Sequence, residues 1–338
     1  MTCSRMMIVC LCSLLAAGLA GCRSVRSYHA PPAPRALEVS EASEEQLALL
    51  ETAEQVRESG DYERALKLFQ EILGENPTIT TAYLGMGEIY LEQKDYERAE
   101  PAFARAARLE PRNFDAQYGH GLALQMLNRL VEAVQAYRRA LTIQPESERA
   151  NLNLATVYLQ LSDPERALVF AERAVEHNPS NGPAHANLGA IYEKLDRNAE
   201  ATEAYIAAVE LMGNQPELLM NLISVLSREK RYQEAANTAE TLIKLEASPD
   251  VYERLGWCYF KLQVYFKSLE AYESAVGLDP NYWPAWNGIG VNALNDWLLS
   301  KRSDQELKLK ARDAFRQSLR VNPRQKKVVK LMLNYNLG

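Results

Sequence analysis

Three asparagines, Asn153, Asn187 and Asn221, stand 34 residues apart. An asparagine amide both donates and accepts, so each can pair with a peptide backbone whatever the side chains of that peptide. Few other residues have the type and spacing that chemistry needs. The four histidines, His29, His120, His177 and His185, are scattered, and the sequence has no HExxH, no CxxC, no phosphate-binding glycine loop and no glycine-framed serine. Gly119 and Gly121 flank His120 in a helical stretch and read as packing glycines rather than a cofactor loop. The expectation is a binding protein with no catalytic residue, metal or cofactor. A net charge of −6 gives no overall bias toward nucleic acid, so a partner has to be sought on local surfaces.

The first residues read as an address. Arg5 is followed by an apolar run from Met6 to Ala20 and then by "LAGC", Leu19 to Cys22. A charged start, a hydrophobic segment and small residues before a cleavage point form an export signal, and the run is short of the ~20 residues a membrane span needs. This stretch resembles the signal of bacterial lipoprotein precursors. The resemblance implies removal of residues 1–21, lipidation of Cys22 as the first mature residue, and a place in the bacterial cell envelope. An ordinary secretory signal with an incidental Cys22 is the alternative. Arg23 follows the cysteine instead of the aspartate that retains such proteins in the inner membrane, which implies the outer membrane facing the periplasm. Cys3, Cys10 and Cys12 fall in the signal, so Cys258 is the one remaining thiol and no disulfide framework is expected. Residues 22–45, with Pro31, Pro32 and Pro34, read as a disordered tether. About 20 residues at ~3.3 Å each give it a reach of up to ~65 Å.

The elements that must position the asparagines follow from the same interval. "DYERA" occupies residues 61–65 and again 95–99, and "DPERA" occupies 163–167. With repeats starting at 46, 80, 114, 148, 182, 216, 249 and 283, small and aromatic residues recur at fixed positions. The second repeat gives Tyr83, Met86, Gly87, Tyr90, Ala99, Phe103, Ala106 and Pro111, and the seventh gives Tyr252, Leu255, Gly256, Tyr259, Ser268, Tyr272, Ala275 and Pro280. Positions 4, 7, 8 and 11 make one stripe on a first helix, and small residues at 8 and 20 let a second helix approach closely. Proline at 32 ends the unit. In "DYERA", Asp and Tyr are expected in the turn, with Glu-Arg opening the second helix.

The pattern resembles the tetratricopeptide repeat family over about 280 residues. It implies an all-α, right-handed superhelical solenoid of about eight helix hairpins over 46–323, with a capping helix at 324–338. The eighth repeat is stretched by 9 residues near 295–304; "SDQE", Ser303 to Glu306, reads as a capping box, and Trp297 has no role in the pattern. The basic residues Arg324, Lys326, Lys327 and Lys330 read either as a solvated cap or as a contact for anionic lipid or protein.

In this family, positions 2, 5, 6, 9, 12 and 13 line the concave face. Asn153, Asn187 and Asn221 sit at position 6, resembling the asparagine ladder in the repeats of O-linked N-acetylglucosamine transferase, although Gly85, Gly119, Arg254 and Gly288 take that position elsewhere. The asparagines are either peptide contacts or residues tolerated on a polar inner face. Tyr118, Trp257 and Phe260 add apolar surface there; Trp257 is either a partner anchor or packing against the stretched repeat. The resulting expectation is a membrane-anchored, non-catalytic scaffold holding a protein or extended peptide in its groove. The alternative is a structural assembly subunit of an envelope machine such as a type IV pilus or secretin system, docking through Trp297 and the insertion. A peptidoglycan-linked adaptor shares the same anchor, and no residue pattern sets the oligomeric state.

Overall fold

The computed structural model describes residues 41–338; Cys22, the signal and most of the expected tether lie outside the described residues. The described chain is all-α, with seventeen helices. α1 (Glu44–Glu58) pairs with α2 (Tyr62–Glu75), α3 (Thr80–Glu92) with α4 (Tyr96–Leu109), and α5 (Phe114–Met126) with α6 (Leu130–Ile143). α7 (Glu148–Gln160) and α8 (Pro164–His177) follow, then α9 (Gly182–Lys194) and α10 (Asn198–Met212), then α11 (Pro216–Arg228) and α12 (Tyr232–Leu245). α13 (Pro249–Lys261) pairs with α14 (Tyr265–Leu278), α15 (Trp283–Leu299) with α16 (Gln305–Val321), and α17 (Lys326–Asn334) stands last. From α1 to α15, each first helix touches the next first helix, while successive second helices make no comparable contact among the described residues. The first helices therefore form one continuous wall, and the second helices splay behind it.

Each hairpin closes in the same way. The second residue after the first helix is left-handed at Lys94, Asn128, Ser162, Asp196, Lys230 and Gln263, with Gly60 in the corresponding place in the first repeat. Its successor returns an N–H to the helix, as Asp95 does to the Tyr90 carbonyl at 2.8 Å. Asp61, Asp95 and Asp163 then cap the second helices, each accepting the N–H of Arg64, Arg98 or Arg166. Tyr62 and Tyr96 are thus the first residues of helices, not turn residues as the sequence suggested. Once the aspartate side chain satisfies the orphan donors, the helix begins immediately after it. The arginine of the phrase has a second use. Arg98 lies 4.7 Å from the Tyr90 ring centre and Arg166 4.8 Å from that of Tyr158, fastening the second helix to the first.

The core is built around the ring at position 24. Phe103 is buried between Gly87 of its own repeat and Gly119 of the next. A Cβ at Gly87 lands 2.8 Å from one edge of the ring, and a Cβ at Gly119 lands closer still to the opposite edge. Tyr272 is held in the same way by Gly256 and Gly288. In the two repeats whose ring position is alanine, Ala171 and Ala239, the following unit carries Asn187 or Arg254 in place of that second glycine.

The stretched repeat spreads its extra residues widely. α15 and α16 each have 17 residues, against 13 in α13 and 14 in α14, and the loop between them runs from Ser300 to Asp304. The cap of α16 is Asp304, which accepts the N–H groups of Glu306 and Leu307; the Ser303 hydroxyl instead donates to the Ser300 carbonyl. The loop enters through two left-handed residues, Lys301 and Arg302, and this sets Asp304 rather than Ser303 at the helix start. Trp297 is 6% exposed, packed with Phe315, Ala311, Val328 and Leu337. It is a core residue sealing the last hairpin against α17, so it offers no docking surface. Lengthening α15 by one turn carries this side chain over the interior.

Gly119→Ala is expected to lower stability by about 1–3 kcal/mol, because the Phe103 ring has glycine on both edges and cannot retreat. The loss is read as a shift in the chemical denaturation midpoint, and adding Phe103→Leu should recover part of it. A neutral Gly119→Ala would show that the ring does not set the spacing.

Candidate functional site

The wall of first helices changes character along its length. At the start, Glu54, Glu88, Glu92 and Asp115 lie close enough to influence one another. Burial pushes the Glu88 carboxyl above its ordinary range; Arg57, 3.3 Å away, opposes that rise, and the neighbouring acids add to it.

The middle of the wall holds Tyr118 and the asparagines. Tyr118 stacks on Phe114 with ring centres 5.8 Å apart, and the Arg149 guanidinium sits 4.5 Å from the Tyr118 centre while pairing with Asp115. Burial raises the Tyr118 phenol, and Arg149 counters it. Asn153 donates to the Tyr118 hydroxyl at 2.9 Å, and Asn187 donates to the Thr156 hydroxyl at 2.6 Å. The Asn187 carbonyl oxygen is buried without a partner. Asn221 is exposed beside Met220, at the rim of a hollow of about 460 Å³ between α11 and α13. The three amides thus occupy three different settings, two of them already donating within the chain.

The far part of the wall carries the aromatic groove. Trp257 and Phe260 of α13 face Trp283 and Val291 of α15 across a space of about 440 Å³, with Glu253 and Asn287 among its polar lining. On its other side, Trp257 borders a smaller hollow of about 320 Å³ with Ser224, Ser227 and Arg228. The indole is a ridge between two depressions. The Tyr232 ring meets it edge-on at 5.3 Å and the Lys261 ammonium lies 5.4 Å from it, while Phe260 leans on Tyr265. Trp257 is therefore half-buried, packed on Tyr232 and against the cluster that includes Ala285 and Ile289 of the stretched repeat.

Glu253 lies under this ridge. Burial pushes its carboxyl up, Arg254 pulls it down and Asp250 pushes it up again. Arg254 lies 3.5 Å from Asp250, which also accepts the Tyr282 hydroxyl, and no hydrogen bond or ion pair engages Glu253 among the described residues. The sequence carried a signal for this residue: position 5 runs Leu84, Tyr118, Leu152, Ala186, Met220 and then turns acidic at Glu253. Asn287 is the next member of that series, whereas Trp283 had no such signal, since its role depends on how α15 lies against α13.

The expected site residues fall into separate places. Trp257 and Phe260 share one groove, Tyr118 and Asn153 form a contact pair, and Asn187 and Asn221 lie between the two groups. Cys22 lies outside the described residues. His120 sits 3.2 Å from Glu100, which also meets Arg129 at 3.3 Å, and burial holds the imidazole below its ordinary value. Among the described residues no group of His, Cys, Asp and Glu is arranged to hold a metal, and no helix is long and apolar enough to cross a membrane.

A curved wall of first helices, backed by second helices and carrying a polar-to-aromatic groove, defines a helix-hairpin repeat solenoid. The chain belongs to the tetratricopeptide repeat family: one tetratricopeptide repeat model matches residues 50–108, 84–148 and 221–290, a second matches 124–190 and a third 182–212. Similar solved structures include PilF of Pseudomonas aeruginosa, 20% identical over 60% of this chain and 91% of that one, with a TM-score of 0.53. PilW, a widely conserved type IV pilus biogenesis factor, is 21% identical over 60% of this chain and 94% of its own, with a TM-score of 0.52. YrrB, a TPR protein with an unusual peptide-binding site, is 22% identical over 52% of this chain and 90% of its own, with a TM-score of 0.48. At these identities the likeness is one of fold. No curated protein matches the chain.

A carboxyl whose folded pKa is raised takes up protons more readily folded than unfolded, so stability falls as pH rises through the folded value. Glu253→Gln is therefore expected to raise the thermal midpoint at neutral pH, with the advantage fading as pH drops below the carboxylate range. A difference independent of pH would show that the carboxylate is compensated.

Proposed function

We propose that this chain is a membrane-anchored, non-catalytic scaffold that holds a protein or extended peptide along its wall of first helices. The observation that carries the reading is the groove in which Trp257 and Phe260 face Trp283, because large aromatics half-presented in a concave surface are the residues that anchor partners. The half-buried Glu253, which no hydrogen bond or ion pair engages among the described residues, supports it, since a carboxyl held above its ordinary range beside an aromatic groove is a group a partner can make use of. The asparagines contribute at the margin: Asn221 is open, whereas Asn153 and Asn187 must exchange an internal hydrogen bond for one to a peptide. The proposed anchoring rests on "LAGC" and lipidation of Cys22 in the bacterial envelope, and Arg23 after that cysteine supports the outer membrane facing the periplasm.

Docking onto one oligomeric partner of an envelope machine, such as a type IV pilus or secretin system, is the second reading. PilF and PilW share the solenoid fold with this chain, and that likeness bears on architecture alone. With Trp297 buried, this reading loses the surface residue it relied on.

Two measurements test the proposal. A photoreactive amino acid at position 260 of the full chain in intact cells should crosslink to extended segments, whereas the same group in place of Phe266, 71% exposed on α14, should not. Trp257→Ala with Phe260→Ala should weaken capture about tenfold or more, while Asn153→Ala, Asn187→Ala and Asn221→Ala together should have a smaller effect. Undiminished capture by the aromatic double variant rejects the groove. Separately, Cys22→Ser should move the protein out of the membrane fraction, and unchanged fractionation rejects the anchor.

A further inference from the structure

The two ends of the helix stack are unequal in charge, and each is incompletely covered. The third residue of every first helix from α3 onward is buried against the preceding repeat: Ala82, Ala116, Ala150, Ala184, Leu218, Val251, Ala285 and, in α17, Val328. In α1 the corresponding residue is Ala48, which is exposed, with no earlier repeat among the described residues. Around it on the same open side lie Glu44, Leu47 (54% exposed), Glu51, Gln55 and Glu58. Gln55 takes the place that Ile89, Val157, Ile191 and Val225 fill with buried aliphatic side chains. None of Glu44, Glu45, Glu51 and Glu58 is in an ion pair among the described residues.

The opposite end is a half-built repeat. α17 follows α16 in the place of a ninth first helix, touching it less extensively than α15 touches α14, and no second helix follows it among the described residues. One side, with Val328, Leu331, Met332 and Tyr335, packs against the Trp297 cluster. On the other side Lys326, Val329, Lys330 and Leu333 recur at helical spacing; Val329 is 41% and Leu333 77% exposed. With Pro323 and Arg324 they border an apolar hollow of about 520 Å³. α17 carries three lysines and no acid, whereas α1 carries five glutamates and one arginine.

We infer that a second copy of this chain covers α17: the α1 end of one molecule seats on the α17 end of the next, head to tail. Complementary charge selects this pairing, since α17 against α17 or α1 against α1 sets like charges face to face. Leu47 and Leu333 supply an apolar centre ringed by glutamates on one side and by Lys326, Lys327, Lys330 and Arg324 on the other, none of these cations in an ion pair among the described residues. Because the two surfaces differ, the contact is heterologous and leaves a free end of each kind, so association is open-ended. An anionic bilayer is the less favoured occupant. Lysines would suit it, yet the chain as a whole carries −6.

The test uses the full chain in detergent, with micelles in excess over protein, followed by sedimentation velocity across protein and salt concentration. The expected result is concentration-dependent association that weakens about tenfold or more between low and high salt, as exposed charge pairing should. Lys326→Glu with Lys327→Glu and Lys330→Glu should abolish it, and so should Glu44→Lys with Glu45→Lys and Glu51→Lys. Mixing these two variants should restore it, which also shows that both are folded. In membranes, Leu47→Cys combined with Leu333→Cys should give a disulfide ladder under mild oxidation that neither single variant gives. The inference is overturned by a chain that stays monomeric at low salt, by association that survives either charge reversal, or by α17-dependent binding to anionic vesicles without self-association.

Discussion

A packing device recurs through the fold: an aromatic ring from a second helix set against a glycine of a first helix, and in two repeats wedged between two glycines on successive first helices. Phe103 between Gly87 and Gly119, and Tyr272 between Gly256 and Gly288, fix two distances at once. The near glycine sets how closely a hairpin closes, and the far glycine sets how closely the next hairpin stacks. With both set by the same ring, the first helices are brought side by side and the second helices are pushed apart. Close packing admits few alternatives here, because a ring with backbone on both edges has no empty volume to move into. The wall of first helices follows from this constraint, while positions away from the ring contacts, such as Asn221 and Phe260, are set by their local neighbours instead.

That division explains what the sequence disclosed. The close-contact residues repeat because the same steric demand repeats, so Gly87, Ala99, Phe103 and their equivalents revealed the period, and the prolines at 77, 111, 145, 179 and 280 marked where each unit ends. Residues outside the repeated demand were less legible. The stretched eighth repeat has no precedent within the chain, so neither the capping role of Asp304 nor the burial of Trp297 could be inferred from its neighbours. The asparagine interval was plain to see, but its chemistry was not. Asn153 meets Tyr118 and Asn187 meets Thr156 across adjacent helices, and short polar side chains on a wall take whichever partner the neighbouring helix offers.

The wall is graded. Its beginning is acidic, with Glu88, partly exposed and paired with Arg57, near Glu54, Glu92 and Asp115, and its far part is aromatic around Trp257. Between them, the amides of Asn153 and Asn187 are internally engaged, which keeps the middle polar without leaving bare donors. Such a surface favours a ligand that is itself asymmetric, with cationic groups over the first repeats and apolar groups over the last. Electrostatic complementarity at one end governs orientation and encounter, while buried aromatic contact at the other governs how long the complex lasts.

The ends and the wall obey different constraints, which allows both to be used together. A globular protein that binds a partner usually covers part of the surface it would need to self-associate. On the proposed readings, growth would use α1 and α17 and binding would use the side of the stack, so neither event would occlude the other. The exposed Leu47 and Leu333 are informative for that reason. A terminal helix needed only for solubility is polar on its outer face, and α17 meets this requirement with lysines yet keeps Val329 and Leu333 in the open. An apolar centre inside a charged ring is the composition of an interface, because the ring selects the partner and the centre excludes water. Extending the stack would also lengthen the wall, so that one extended ligand could run across the junction between copies and hold two molecules in register.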